Sequence, residues 1–254
     1  MSASDQRFAG KTAIVTAASR GIGLAIARRL VDNGARVVIT ARNQDALGAA
    51  ALELGADRAI AVVGKADDEQ HQDATIATAI EEFGGVDLLV NNAGVNPIYG
   101  PLADLDLGAA RKVVEVNDLA AISWTRKVVA ASMGDRGGAV VNISSVAALT
   151  PPAGIGFYGA SKAMLLHLTR QFALELAPKV RVNAVAPAVV KTRFAAALYE
   201  GREQSVAARY PLGRLGEVAD VAGPVSFLLS DDAAWITGQV IVIDGGATLT
   251  GGVE

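Results

Sequence analysis

Short apolar runs alternate with longer helical patterns along the chain. The runs are Thr12–Thr16, Arg36–Thr40, Ala59–Val63, Val86–Asn91, Gly138–Ser144, Val180–Pro187 and Gln239–Ile243. They are rich in Val, Ile, Leu and Ala, and several end in turn residues, so they predict strands. Helical patterns lie between them at Gly21–Asn33, Asn43–Leu54, Asp67–Phe83, Ala109–Met133, Phe157–Leu176 and Glu217–Leu229. In the first, Ile22, Ile26 and Leu30 are four apart and share one face. Gly34 follows it, as suits a helix C-terminus. In the fifth, Leu165, Leu168, Phe172 and Leu176 form a core stripe that Pro178 closes. This alternation predicts an α/β fold: a Rossmann-type, doubly wound parallel sheet of about seven strands with helices on both faces. No linker, charge block or repeat interrupts the pattern, so residues 1–254 are expected to form one domain. The longest interval without a clear strand, 188–215, is helical and charged, and is expected to be a substrate lid or an ordinary surface helix.

Composition narrows the chemistry. Hydrophobic residues make up 51% of the chain and mean hydropathy is +0.34, which raises the question of a membrane span. The longest uncharged stretch, Gly137–Ser161, contains Asn142, Ser144, Ser145, Pro151 and Pro152. It reads as strand, loop and helix start, not as a span. The apolar excess instead fits a sheet covered on both faces. The start, MSASDQRFAGK, has no apolar signal core, and a cytoplasmic location is expected. There is no cysteine and there are only two histidines, His71 and His167, which excludes disulfides, thiolate chemistry and multi-histidine metal sites. A net charge of -3 does not favour nucleic acid or an anionic membrane as partner.

The first strand runs into Thr16-Ala17-Ala18-Ser19-Arg20-Gly21-Ile22-Gly23, where the first helix begins. Small residues let backbone approach a pyrophosphate, and the helix N-terminus offers unpaired N–H groups. After the second strand, Thr40-Ala41-Arg42 has no acid to bond a ribose 2′-hydroxyl. Arg42 and Arg20 suit a 2′-phosphate instead, which favours NADP(H) over NAD(H).

Tyr158 and Lys162, spaced i, i+4 on the fifth helix, share one face. An ammonium near a phenol favours the phenolate, so the pair is suited to pass a proton to or from a carbonyl oxygen. Upstream, Asn142-Ile143-Ser144-Ser145 ends a strand at the sheet edge where ligands bind.

Together these motifs resemble the short-chain dehydrogenase/reductase family in its compact form, over the whole chain. Asn91-Asn92-Ala93-Gly94, Asn117 in the long fourth helix, Ser145 thirteen residues before Tyr158, Thr237-Gly238-Gln239 and Asp244-Gly245-Gly246 complete the likeness. The resemblance implies that Tyr158 is the general acid/base and that Lys162 holds the nicotinamide ribose. It further implies that Ser145 polarises the carbonyl and that Asn117 organises a proton relay. Ser19, Arg20, Gly21, Ile22, Gly23, Arg42, Asn92, Ala93, Gly94, Pro187, Val190 and Thr192 would contact the cofactor.

Three positions depart from the family pattern. Ala17 replaces the first glycine of the turn, and alanine is expected to fit. Ala188 replaces the glycine after Pro187. Lys65-Ala66 stands where an Asp-Val pair commonly meets the adenine, and Lys65 is expected to be solvated. His71 is also expected to be solvated, His167 to pack or lie at an interface, and Trp124 to be core or interface. The resemblance implies a homo-oligomer, dimer or tetramer. Its activity would be the NADP-dependent reduction of a small-molecule carbonyl, with a look of the 3-oxoacyl-carrier-protein reductases. NAD-linked alcohol oxidation and a non-catalytic NADP-binding protein are the alternatives.

Overall fold

The computed structural model describes residues 6–250. The seven apolar runs form β1 (Thr12–Val15), β2 (Arg36–Ala41), β3 (Ala59–Val63), β4 (Leu88–Asn91), β5 (Gly138–Ile143), β6 (Val180–Pro187) and β7 (Val240–Ile243). They pair in parallel in the order β3-β2-β1-β4-β5-β6-β7. Every residue of β1 and β4 is buried, which explains why these runs read as apolar without alternation. The edge strands β3 and β7 are only partly covered.

Helices α1 (Gly21–Asp32), α2 (Gln44–Leu54) and α3 (Glu69–Phe83) follow the first three strands. The fourth predicted helix is longer than expected and interrupted: α4 (Leu107–Val114), a π-turn at Glu115–Leu119, α5 (Ala120–Val128), a second π-turn at Val129–Met133 and α6 (Gly134–Arg136). Next come α7 (Gly156–Leu176), the short α8 (Ala196–Tyr199) and α9 (Glu203–Ala207), and α10 (Val218–Leu229). Asn43 and Asp68 cap α2 and α3 through their side chains, and Glu217 and Asp220 form a capping box on α10.

Neighbouring strand residues point to opposite faces. Ala13, Val15, Val37 and Ile39 join Ile26, Leu30, Leu47, Val221 and Leu228 in one core. Ile14 and Val38 join Ile76, Trp124, Val128 and Ala173 in the other. Trp124 is core, as expected. His71 is not solvated: it is buried, with its ring edge-on to Trp124 at 5.9 Å between centroids. Gly64 makes the room for it, since a Cβ there would lie 2.2 Å from the imidazole. His167 is exposed. Among the described residues no helix is long and apolar enough to cross a membrane.

Candidate active site

The phosphate-binding turn is pinned between two strand ends. The Thr16 amide donates to the Val90 carbonyl at 3.1 Å, and the Ala18 amide donates to the Thr40 carbonyl at 2.9 Å. Arg20 is the N-cap of α1 in extended backbone, its side chain caps nothing, and the first turn holds no acid. The N-terminal N–H groups of a twelve-residue helix therefore face an open cradle that suits an anion. A Cβ on Gly23 would lie 2.6 Å from the Asn92 Nδ2 and 2.8 Å from the Ala17 carbonyl oxygen, so only glycine closes this turn. Gly21 sits at φ 59°, and a Cβ there would touch the Thr192 Cγ2 at 3.5 Å. Thr192 thus lies over the cradle. Ala17 has φ 53° and is the only non-glycine residue with positive φ among the described residues. The methyl group that was expected to fit does so in a left-handed conformation that alanine disfavours.

Arg20 and Arg42 are exposed, and neither forms an ion pair among the described residues. The Ala18–Thr40 hydrogen bond joins the two loops that carry them, each two residues further along. Beside them, the Gly64 amide donates to the Ala41 carbonyl at 3.0 Å and brings the exposed Lys65 to the next strand end. The Ala66 carbonyl is taken by the Trp124 Nε1 at 2.9 Å and the Gln72 Nε2 at 2.8 Å. These side chains shape the loop where the usual acid is missing.

Asn92 holds the turn from the other side. Its Nδ2 donates to the carbonyls of Thr16 (2.9 Å) and Ala17 (3.2 Å), while the Asn92 and Ala93 amides donate to the Thr16 Oγ1 at 3.0 Å each. Gly94 leaves space above a polar pair: a Cβ on it would lie 3.3 Å from the Lys162 Nζ and 3.5 Å from the Asn117 Oδ1. Pro187 ends β6, and Val190 is buried and bridged to Gly216.

Asn117, Ser145, Tyr158 and Lys162 come from the π-turn, the loop after β5 and the first turns of α7. The Asn117 Oδ1 accepts from the Val95 amide at 2.8 Å, and its Nδ2 donates to the Val95 carbonyl and the Ser161 Oγ, both at 3.1 Å. The buried Lys162 donates from Nζ to the Ile143 carbonyl at 2.9 Å, and lies 5.8 Å from the centre of the Tyr158 ring. Burial pulls its ammonium down to about 8. Burial pushes the Tyr158 phenol up to about 12, against the pull of a hydrogen bond with the Ser145 hydroxyl. The phenol, expected to be lowered by its cationic neighbour, is raised instead. Ser144 is occupied elsewhere, since its hydroxyl donates to the Lys162 carbonyl at 3.0 Å. Ser145 is left as the hydroxyl that faces the phenol. Phe194, 61% exposed, stands 6.4 Å from the Tyr158 ring.

A sequence model of the family described as Enoyl-(Acyl carrier protein) reductase matches residues 16–248. The chain belongs to the short-chain dehydrogenase/reductase family. Dehydrogenase/reductase SDR family member 4 from Oryctolagus cuniculus is 43% identical over 248 residues, spanning 94% of each chain. The Homo sapiens protein of the same name is 42% identical, spanning 94% of this chain and 88% of its own. A short-chain type dehydrogenase/reductase from Mycobacterium ulcerans superposes with TM-score 0.92 at 35% identity, covering 97% of this chain and 93% of its own. A glucose/ribitol dehydrogenase of the family from Brucella melitensis superposes with TM-score 0.90 at 31% identity, covering 95% and 98%. The protein is thus an NAD(P)-dependent oxidoreductase acting on CH–OH groups.

In this short-chain dehydrogenase/reductase, several residues around the site escaped sequence reasoning. Thr16, within the first turn, and Ser161, between Tyr158 and Lys162, are two of them. Asn91 and Asn142 form a buried polar rung: the Asn91 Nδ2 donates to the Asn142 Oδ1 at 2.9 Å, and the Asn142 Nδ2 donates to the Thr169 Oγ1 at 2.9 Å. Two polar residues inside strands otherwise rich in Val and Leu were the available signal.

Proposed function

We propose that the protein is an NADP(H)-dependent carbonyl reductase in which Tyr158 delivers the proton to the substrate oxygen. The observation that carries this reading is the Tyr158 ring set 5.8 Å from the buried Lys162 ammonium, beside the Ser145 hydroxyl and next to the phosphate cradle. A protonated phenol is the form that reduction needs, whereas oxidation would need it ionised. When bound, the nicotinamide supplies the hydride to the carbonyl carbon. Ser145 hydrogen-bonds the carbonyl oxygen and orients it toward the phenol. Lys162 holds the ribose and stabilises the phenolate that proton transfer leaves. Asn117 anchors the loop at Val95 after β4 and carries the relay that restores the proton. Arg20 and Arg42 hold the 2′-phosphate.

Apart from Lys162, the segments flanking Tyr158 are poor in charge. No Asp, Glu, Lys or Arg occurs from Leu88 to Ala103 or from Gly137 to Ser161, and Phe194 adds an apolar face. This supports an uncharged carbonyl compound over a carboxylate, with the 3-oxoacyl thioester as one member of that class. The 188–215 segment, with α8, α9 and Phe194, is the candidate lid. Trp235, fully exposed in the loop before β7, and the partly covered β7 support assembly as a homo-oligomer.

Replacing Tyr158 with Phe tests the reading. Carbonyl reduction, followed by loss of NADPH absorbance over simple ketones, quinones and acyl thioesters, is expected to fall at least about a hundredfold. Turnover within a few-fold of the parent enzyme sinks the acid assignment.

A further inference from the structure

Asp118 follows Asn117 within the π-turn and has no place in the chemistry above. It is fully buried, and neither carboxylate oxygen has a hydrogen-bond partner. A carboxylate in such a place is costly unless an opposite charge compensates. The π-turn packs against α4, α5 and α7. The other charged groups on these elements look elsewhere. Arg111, Lys112, Glu115, Arg126, His167, Arg170 and Glu175 are exposed, and Lys127 pairs with Glu69 and Asp73. The buried groups are Lys162 and, in part, Tyr158. Lys162 is thus the one buried cation on the elements packed around Asp118, and among the described residues the two make no direct ion pair. The space above Gly94 places the Lys162 Nζ beside the Asn117 amide, and the turn that presents Asn117 to it is the one that buries Asp118.

We propose that Asp118 is the buried counter-charge that keeps Lys162 an ammonium, and so a positioning residue that acts on the reaction through Lys162. The inference rests on the reading of Lys162 given above. Burial pushes Asp118 up to about 7 and pulls Lys162 down to about 8, so each opposes the loss of the other's charge in the neutral range. Removing the carboxylate leaves burial unopposed by any counter-charge on Lys162, which lowers its pKa further.

The test uses Asp118→Asn and Asp118→Val. The second fills the buried place without a polar atom and keeps the measurement available if the amide does not fold. Two readouts are taken: titration of the Lys162 ε-position by NMR of isotope-labelled protein without cofactor, and the alkaline limb of kcat/KM. Lys162 is expected to titrate near 8 in the parent protein and about one pH unit lower in either variant, with Asp118→Glu restoring part of the shift. The kinetic limb is expected to move the same way. An unmoved Lys162 titration in a folded variant overturns the proposal. A shifted titration with an unmoved limb also overturns it, since Asp118 would then set the Lys162 charge without acting on the reaction.

Discussion

Ala17 is the clearest instance of sequence and conformation in conflict at one residue. The turn between β1 and α1 requires a left-handed residue there, and alanine adopts φ 53° because the flanking hydrogen bonds from the Thr16 and Ala18 amides fix the chain on both sides. A left-handed L-residue costs roughly 1–2 kcal/mol, which glycine avoids at the expense of its own larger unfolded-state entropy. Ala17→Gly is therefore expected to stabilise the protein by about 0.5–1 kcal/mol, read as a shift in the denaturation midpoint at unchanged slope. A destabilised variant would mean that the methyl group packs to advantage. The motif showed that a glycine usually stands here, but the sign of φ at residue 17 was not legible in it. The same limit applies to His71. Its acidic neighbours suggested solvent, whereas the missing side chain at Gly64, seven residues upstream on the preceding loop, opened a buried place for it.

At the scale of elements, the helix patterns located α1, α2, α3, α7 and α10 to within a few residues, because each buries an apolar stripe on one core. The fourth helix was legible as a helix but not as an interrupted one. A π-turn inserts one residue into the ladder without breaking the hydrophobic spacing enough to notice, and such turns recur at functional sites. Here the first of them delivers Asn117 to Val95 and Ser161. Ser161 links the two elements, since its hydroxyl accepts from the Asn117 Nδ2 and donates to the Tyr158 carbonyl at 2.8 Å. Ser161→Ala removes that link and leaves the Asn117 Nδ2 with only the Val95 carbonyl. The expected cost is about 1 kcal/mol in stability, with kcat falling several-fold while KM stays nearly constant. A loss confined to stability would show that Ser161 braces the fold and not the presentation of Asn117.

For the whole molecule, the strand order reverses direction between β1 and β4, so the helices that follow them depart to opposite faces and leave a crevice at the carboxyl ends of the strands. The class of fold was legible from the two-sided burial of the strands. Their order was not, because hydrophobic pattern says which strands are central but not which neighbours they take. That order sets Arg20, Arg42 and Lys65 in a row at the ends of β1, β2 and β3, joined by the Ala18–Thr40 and Gly64–Ala41 hydrogen bonds. None of the three has an acidic partner among the described residues, and no acid stands after β2 to receive a ribose hydroxyl. A phosphate at that edge gains charge-assisted hydrogen bonds, each contributing about 1.5–3 kcal/mol. Arg42→Ala is accordingly expected to weaken NADPH binding about ten- to a hundredfold and to leave NADH binding within about two-fold, by fluorescence titration. Because the row is exposed and screened, raising the salt concentration is expected to weaken NADPH binding more than NADH binding. Equal affinities for the two cofactors in the parent enzyme would remove the phosphate from this edge and return Arg20 and Arg42 to the solvated surface.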